Sequence, residues 1–357
     1  MTDPVYRQLS QHLDAIPNGY PATPSGIELQ LLKRLFSPEE ARLACVMHLD
    51  AEPPAEIAAR LGLEPAETRK ALKAMAMKGL IGFERKGSQL AFSLMPFIVG
   101  FYEAQLPRLD AELATMFEQY YQESHGAVMR AQPSVHRIIP VGEAVPVEIE
   151  VFPYERASEL INGARAWGVR NCICRTQQHL IGKGCDRPLE ACMVFSPIEG
   201  AFDRSPMDRA ITREEAHHIL RQTEDAGLVH STGNYRDGIE YICNCCTCCC
   251  GIMRGIAEFG IPTAVARSDF LTFVDDVHCT GCGECVDRCP FHALSVPELL
   301  AVVEEARCMG CGLCASACST EALHLERRAV GERVAPPADL SEWRALRDAQ
   351  RAAGAAG

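Results

Sequence analysis

The sequence predicts an α+β chain in three parts: a helical front ending in a short hairpin, a central mixed α/β domain rich in cysteine, and a compact C-terminal cysteine module. Three observations predict it. The first hundred residues carry helical periodicity with capping signals, 18 of the 19 cysteines lie between Cys172 and Cys318, and a cysteine spacing repeats at the far end of that range. With 47% apolar and 23% charged residues over 357 positions, the composition is that of a folded globular protein and excludes a largely disordered one. No apolar run approaches the ~18 residues of a membrane helix, so no transmembrane segment is expected; Ser93–Tyr102 comes nearest. The opening MTDPVYRQLS lacks the basic flank and apolar stretch of a signal peptide. A net charge of −12 argues against a chain whose main task is coating nucleic acid.

Residues 1–95 form the first domain. Ser37, Pro38 and Glu40 make a capping box that opens a helix through Leu43, Val46, Met47 and Leu49. Ala55–Leu61 and Pro65–Lys78 follow as helices stopped by Gly62 and Gly79, with Ile57, Ala58, Leu61, Thr68, Leu72, Met75 and Ala76 facing inward. Leu80–Phe83 and Leu90–Leu94 read as strands around a tip holding Arg85, Lys86 and Gly87. This order resembles the winged helix-turn-helix fold, with Gly62-Leu63-Glu64 as its turn. Seven bases against three acids between residues 60 and 86 keep nucleic acid as an alternative partner. Docking, or homodimerisation through the N-terminal helices, is the favoured reading.

Residues 96–131 are expected as a helical connector. Pro96 opens an apolar helix, and Leu106–Tyr121 sets Leu109, Leu113, Met116, Phe117 and Tyr120 at helical spacing. The central domain, 132–270, begins with strands Val135–Val141 and Val147–Phe152. Helices near Tyr154–Trp167 and Thr212–Ala226 follow, the second opened by a Thr212/Glu215 capping box. A cysteine module (271–330) and a flexible Pro/Ala-rich tail (331–357) complete the chain. Adjacent cysteines such as Cys245-Cys246 stand too close for an unstrained mutual disulfide. With no export signal, the thiols read as metal ligands in a reducing cytoplasm.

Cys279-x2-Cys282-x2-Cys285-x3-Cys289-Pro290 is followed by Cys308-x2-Cys311-x2-Cys314-x3-Cys318. Three cysteines at this spacing wrap one face of an iron–sulfur cube, and the fourth lies too far along the next helix to close the same cube. Cys279, Cys282, Cys285 and Cys318 are therefore expected on one [4Fe–4S] cluster, and Cys308, Cys311, Cys314 and Cys289 on the other. Gly281, Gly283, Gly310 and Gly312 suit close backbone approach. Residues from about Val274 to Leu325 resemble the bacterial-type dicluster ferredoxin fold, with Ser319 where a proline usually follows the fourth cysteine. Four-cysteine zinc sites are the competing reading.

The central domain holds ten more thiols: Cys172, Cys174, Cys185, Cys192, Cys243, Cys245, Cys246, Cys248, Cys249 and Cys250. Pro188–Cys192 reads as a helix start and Tyr241–Cys243 as a strand end. Six thiols in eight residues exceed the four that one cubane takes. The Cys243–Cys250 loop is therefore expected to be shared between two metal sites, or to supply one site and a redox-active thiol. A further iron–sulfur cluster, a zinc site and reduced structural thiols remain open as alternatives. Arg175, Lys183, His179, His217 and His218 lie nearby, with solvated side chains as their plainer reading.

Across residues 20–325 the chain resembles a group of bacterial and archaeal 4Fe–4S ferredoxin-type iron–sulfur proteins. The resemblance rests on Cys172-Ile173-Cys174-Arg175, the Cys243–Cys249 element, the helical front and the duplicated C-terminal spacing. It implies 4Fe–4S binding and redox work in anaerobic metabolism. The expectation is an electron-transfer protein, or the electron-transfer subunit of an anaerobic oxidoreductase, that links a low-potential donor to an acceptor. Its rivals are an iron–sulfur reductase acting on a substrate at Cys243–Cys250 and a redox-sensing winged-helix regulator that binds DNA. No G-x-G-x-x-G or G-x-x-x-x-G-K-[ST] run is present, so neither a dinucleotide turn nor a P-loop is expected.

Overall fold

The capping signals at the front act as read. Ser37 Oγ accepts from the Glu40 N–H at 3.3 Å while Glu40 Oε2 accepts from the Ser37 N–H at 2.9 Å, so two orphan donors are satisfied reciprocally. The computed structural model describes residues 4–87, 89–146 and 151–355. The chain divides into two units, Met1–Val128 with Arg351–Gly357, and Met129–Gln350.

In the first unit, helices α1 (Pro4–Ala15), α2 (Ile27–Leu35), α3 (Pro38–Ala44), α4 (Pro54–Leu61) and α5 (Pro65–Met77) precede an antiparallel hairpin, β1 (Ile81–Lys86) and β2 (Gln89–Leu94). Gly62 ends α4 at φ 64°, a conformation that glycine adopts without strain. Ile57, Ala58, Thr68, Leu72 and Met75 are buried. Three of the bases counted between residues 60 and 86 are engaged internally: Arg60 pairs with the buried Glu52, Lys78 Nζ meets Glu40 at 2.6 Å, and Lys86 Nζ donates to the Ala51 carbonyl at 2.7 Å.

The helix expected from Pro96 is a single distorted turn, Phe97–Phe101, broken by Val99 at φ 50° and by Gly100. Side-chain packing wins over helical continuity, because the break lets both rings reach one aromatic cluster. Phe97 lies 5.3 Å from Tyr20 and 5.2 Å from Tyr120, and Phe101 lies 6.3 Å from Tyr20. After Pro107, Asp110 caps α6 (Ala111–Glu123), whose Leu113, Phe117 and Tyr120 join the same core. The residues expected as a connector are thus part of the core they follow.

After α7 (Ala127–Arg130), the second unit is built on a seven-stranded sheet. Its strands are β3 (His136–Ile138), β4 (Ala166–Asn171), β5 (Glu190–Ser196), β6 (Arg209–Ile211), β7 (Val229–Gly233), β8 (Tyr241–Cys245) and β9 (Val265–Ala266). They lie in the order β6-β4-β5-β8-β7-β3-β9, antiparallel throughout except at β3–β9. Helices α8 (Ala157–Gly163), α9 (Ile173–Leu180), α10 (Arg213–Asp225) and α11 (Gly251–Ala257) connect them.

Several expectations change. Residues 147–150 of the expected strand Val147–Phe152 lie outside the described residues. The helix read over Tyr154–Trp167 stops at Gly163, and Trp167 belongs to β4. The helix start read at Pro188–Cys192 does not form: from Glu190 the chain is strand β5, where Ala191, Met193 and Phe195 alternate inward at period two. Thr212 caps α10 through the Glu215 N–H, but the Glu215 carboxylate turns to Arg209 at 2.7 Å.

The cysteine module is closed by β10 (Phe270–Val274) pairing antiparallel with β13 (Leu323–Arg327), so its two ends meet. Between them lie α12 (Glu284–Arg288), the β11 (Leu294–Ser295)–β12 (Val302–Val303) hairpin and α13 (Leu313–Ser316). The module is joined to the large sheet by buried polar contacts. Arg327 holds Glu155 through two bonds of 2.8 and 3.2 Å, with its guanidinium 4.7 Å from the Phe270 ring centre. The Val141 N–H donates to the Cys311 carbonyl at 2.9 Å. The expected flexible tail instead carries α14 (Leu340–Ala355), because it has partners to bury. Trp343 Nε1 donates to the Ser134 carbonyl at 2.9 Å, and the fully buried Arg347 donates to Ala131 and Pro133 carbonyls at 2.7 and 2.6 Å.

Glu155 and Arg327 are both largely buried, and removing the Glu155 charge leaves Arg327 with only the more distant Asp269, at 3.8 Å, as a counter-charge. Glu155→Gln is expected to destabilise the second unit by about 3 kcal/mol, read as a lower denaturant midpoint at unchanged slope.

Candidate metal centres

In the cysteine module, each cysteine loop turns back on itself through left-handed residues before a short helix. Glycine is required at two of them. A Cβ on Gly281 (φ 69°) would stand 2.3 Å from the Leu299 carbonyl oxygen, and one on Gly310 (φ 66°) 2.2 Å from that of Phe270. These turns gather the eight thiols into two small cavities. Cys279, Cys282, Cys285 and Cys318 line one, closed by Val296, Ala301 and Leu323. Cys308, Cys311, Cys314 and Cys289 line the other, with Phe291, Leu294 and Thr272. The fourth cysteine of each run therefore reaches the cavity of the other run.

The two cavities differ in exposure. Cys282 is exposed and Cys279 half-buried, whereas all four thiols of the second cavity are buried. Burial pushes the Cys314 thiol up to about 12, and Cys311 is raised for the same reason. A thiolate in that cavity needs a cation beside it. Donors already face the sulfurs: the Ala293 N–H lies 3.3 Å from Cys289 Sγ and Thr272 Oγ1 3.4 Å from Cys314 Sγ. At Cys318 burial opposes the charge, but the Thr320 hydroxyl and the backbone N–H groups of Thr320, Ala322 and Leu323 lower its pKa.

The ten central thiols separate into two groups, and the path of one loop divides them. Along β8, Cys243 and Cys245 share a face because side chains alternate. Cys192 on β5 lies across from Cys243, in the register set by Met193↔Ile242. Cys172 caps α9, which carries Cys174, and Cys250 caps α11. Their side chains neighbour one another in a closed circuit: Cys172 with Cys174 and Cys192, Cys192 with Cys243, Cys243 with Cys245, Cys245 with Cys250, and Cys250 with Cys174. Between β8 and α11 the chain makes a turn, closed by the Cys250 N–H on the Cys246 carbonyl at 3.2 Å. That turn carries Cys246, Cys248 and Cys249 away to meet Cys185. Cys185 Sγ lies 4.0 Å from Cys246 Sγ and 3.7 Å from Cys249 Sγ, and Cys248 and Cys249 are 3.7 Å apart. All four sulfurs fall within 4.8 Å of one another, which no three of the six-thiol circuit do among the described residues.

Arg175 sits between the two groups. It is fully buried, donates to the Asn244 carbonyl at 2.9 Å and points Nη1 at Cys246 Sγ at 4.0 Å. Its Nε and Nη2 have no hydrogen-bond partner among the described residues. Burial works against its charge, but Cys172, Cys246, Cys192 and Cys245 outweigh that and hold it more firmly protonated than usual. In the same sense, thiol donors Cys174 and Cys192 hold Cys172 well below the ordinary thiol range, and Cys248 and Cys249 do so for Cys246. Each group therefore contains one strongly favoured thiolate. The solvated reading of Arg175 is corrected by this burial. Lys183, His179 and His218 are exposed, and His217 bonds Asn162 at 2.9 Å.

Three residues were missed in the sequence. Arg187, two positions beyond Cys185, brings Nη1 within 3.6 Å of Cys248 Sγ; a basic residue so close to a cysteine was the available signal. His136 and His230 are buried beside the sheet thiols with nothing in their local sequence to mark them. His230 Nδ1 meets Asn244 Oδ1 at 2.5 Å. His136 contacts the Tyr241 hydroxyl at 3.0 Å and Ser231 Oγ at 3.3 Å, and Ser231 Oγ in turn lies 3.6 Å from Cys245 Sγ.

A family model described as a 4Fe-4S dicluster domain matches residues 272–319, which span seven of the eight cavity-lining cysteines from Cys279 to Cys314 and the eighth at Cys318. The chain thus carries an iron–sulfur, ferredoxin-type segment. Neither the curated proteins nor the solved structures contain a match to the chain. No helix among the described residues is long and apolar enough to cross a membrane.

Burial pushes the His136 imidazole down to about 4, against 6.5 when free. Between those values an unfolded chain binds one proton more than the folded one, so stability falls as pH drops through that window, by about 3 kcal/mol at its acid end. Denaturant curves between pH 7 and pH 4 are expected to show a weaker acid loss for His136→Gln. Equal losses in both proteins would assign the effect to other groups.

Proposed function

We propose that this chain is an iron–sulfur electron-transfer protein, or the electron-transfer subunit of an oxidoreductase system. In this reading Cys279, Cys282, Cys285 and Cys318 hold one [4Fe–4S] cluster, and Cys308, Cys311, Cys314 and Cys289 hold the second. The observation that carries it is the crossed grouping of the eight thiols into two cavities, four to each. Cubanes bound in this way would supply one-electron chemistry at little structural cost. The protein's own part is to present thiolates, direct N–H and O–H donors at their sulfurs, and set how much water reaches each site.

The exposure difference gives the relay a direction. The cavity at the exposed Cys282 is the place for exchange with an outside donor. The buried cavity leads inward, since the Cys311 carbonyl is bonded to Val141 of the central domain. Near the exposed cavity Glu284 on its lining and Asp276, Asp287 and Glu298 in the same loops are exposed, and Val277 and Leu299 stand bare among them. Such a face suits a redox partner with a basic rim and an apolar centre. The six-thiol circuit is the proposed seat of a further iron–sulfur centre, with Arg175 as its fixed counter-charge. All 19 cysteines are free, in keeping with a reducing cytoplasm. The front unit, read as a winged helix, would dock a partner or a second copy.

Iron and acid-labile sulfide counted on anaerobically purified chain test this reading. At least about eight irons with matching sulfide are expected, and Cys285→Ala should lose about four of each. An unchanged count in that variant would contradict the ligand assignment. A colourless protein without sulfide would remove the function.

A further inference from the structure

Cys185, Cys246, Cys248 and Cys249 have a geometry of their own. Four thiolates around one metal ion at a bond length of about 2.3 Å stand about 3.8 Å apart along the edges of a tetrahedron. The sulfurs here lie 3.7, 3.7 and 4.0 Å apart for three of the six pairs, and all within 4.8 Å. A cubane cannot accept that spacing. Each of its four thiolates binds a different iron, so the metal core holds them farther apart. The ferredoxin-type thiols obey the wider spacing: no three of them come within 4.8 Å of one another among the described residues.

We propose that these four cysteines form a mononuclear tetrathiolate site for a single soft divalent cation, zinc or iron, separate from any iron–sulfur cluster. Four thiolates and one such ion leave two negative charges, and two guanidiniums face them. Arg175 approaches Cys246 from the buried side with Nε and Nη2 unpartnered, and Arg187 approaches Cys248 from the outer side at 3.6 Å. Cys246 and Cys249 are buried against Ala191 and Leu228, which fixes half of the tetrahedron, while the exposed Cys248 leaves a way in for the ion. Bound metal would tie the turn after β8 to the Cys185 loop and so hold Cys243, Cys245 and Cys250 in place on the other side of Arg175. The donor set and spacing select a soft tetrahedral ion, and do not depend on the assignment of clusters elsewhere.

Full-length Cys248→Ser and wild type, both purified without oxygen, test it by metal and sulfide analysis. The variant should lose one metal ion per chain and no acid-labile sulfide. Loss of sulfide together with several irons would overturn the proposal in favour of a cluster, and so would an unchanged metal content. Should the variant not fold, the wild-type chain decides. If the ion is zinc, zinc-edge X-ray absorption should show four sulfur neighbours at about 2.3 Å and no metal neighbour. If it is iron, oxidised protein should show the low-field resonance of isolated high-spin ferric iron. A metal neighbour at the zinc edge, or neither signature, would overturn the proposal. Wild-type protein with this signature but no sulfide would instead retain the tetrathiolate and remove the electron-transfer reading.

Discussion

A thiolate buried beside other thiolates is repelled by each of them, and the central domain sets Cys172, Cys192, Cys245 and Cys246 around one guanidinium that water does not reach. Arg175 is the constraint on which that arrangement depends. Its position just after Cys172, at the first turn of α9, puts it against Asn244 and Cys246, between the circuit of six thiols and the group of four. A buried guanidinium with unpartnered nitrogens is costly unless negative charge lies nearby. The favoured thiolates Cys172 and Cys246 supply that charge.

The same electrostatic logic links the central domain to the module behind it. The C-terminal end of α10 lies between two arginines. Arg187 donates to the Ala226 carbonyl at 3.2 Å while touching Cys248, and Arg288, one residue before Cys289, donates to the Glu224 and Asp225 carbonyls at 2.5 and 2.9 Å. Cations at a helix C-terminus are favourable on their own account. Here they also run from a residue beside the buried ferredoxin-type cavity to the four-thiol group. Electron transfer needs donors and acceptors held at fixed separation, and this bracing, with Arg327 on Glu155, provides it within one unit.

Much of this was legible in the chain. Local signals do not depend on distant partners, so the capping box at Ser37, the stop at Gly62 and the inward faces of α4 and α5 could be read directly. The duplicated cysteine spacing, and with it the crossing of the fourth cysteine, was equally readable because the spacing itself encodes a wrapped loop. What failed did so where packing overruled local preference. Pro188–Cys192 has helix-compatible residues, but pairing with β4 and β8 makes it a strand from Glu190. The turn at Phe97–Phe101 breaks to fill an aromatic core. The tail is held because Trp343 and Arg347 find carbonyls more than two hundred residues away in sequence.

Taken alone, the order of residues determined that this is a thiol-rich redox-type chain with a duplicated four-cysteine pattern, because ligand spacing along a short loop is a local property of the backbone. Only the folded structure decided which of the ten central cysteines belong together. Cys192 and Cys185 are distant in sequence from the Cys243–Cys250 loop, and a strand that turns into a helix sends its neighbouring thiols to opposite sides. Register across β5 and β8 makes that division, and a guanidinium that no sequence pattern marks as buried stands between the two groups. These are long-range contacts, and spacing along the chain carries no record of them.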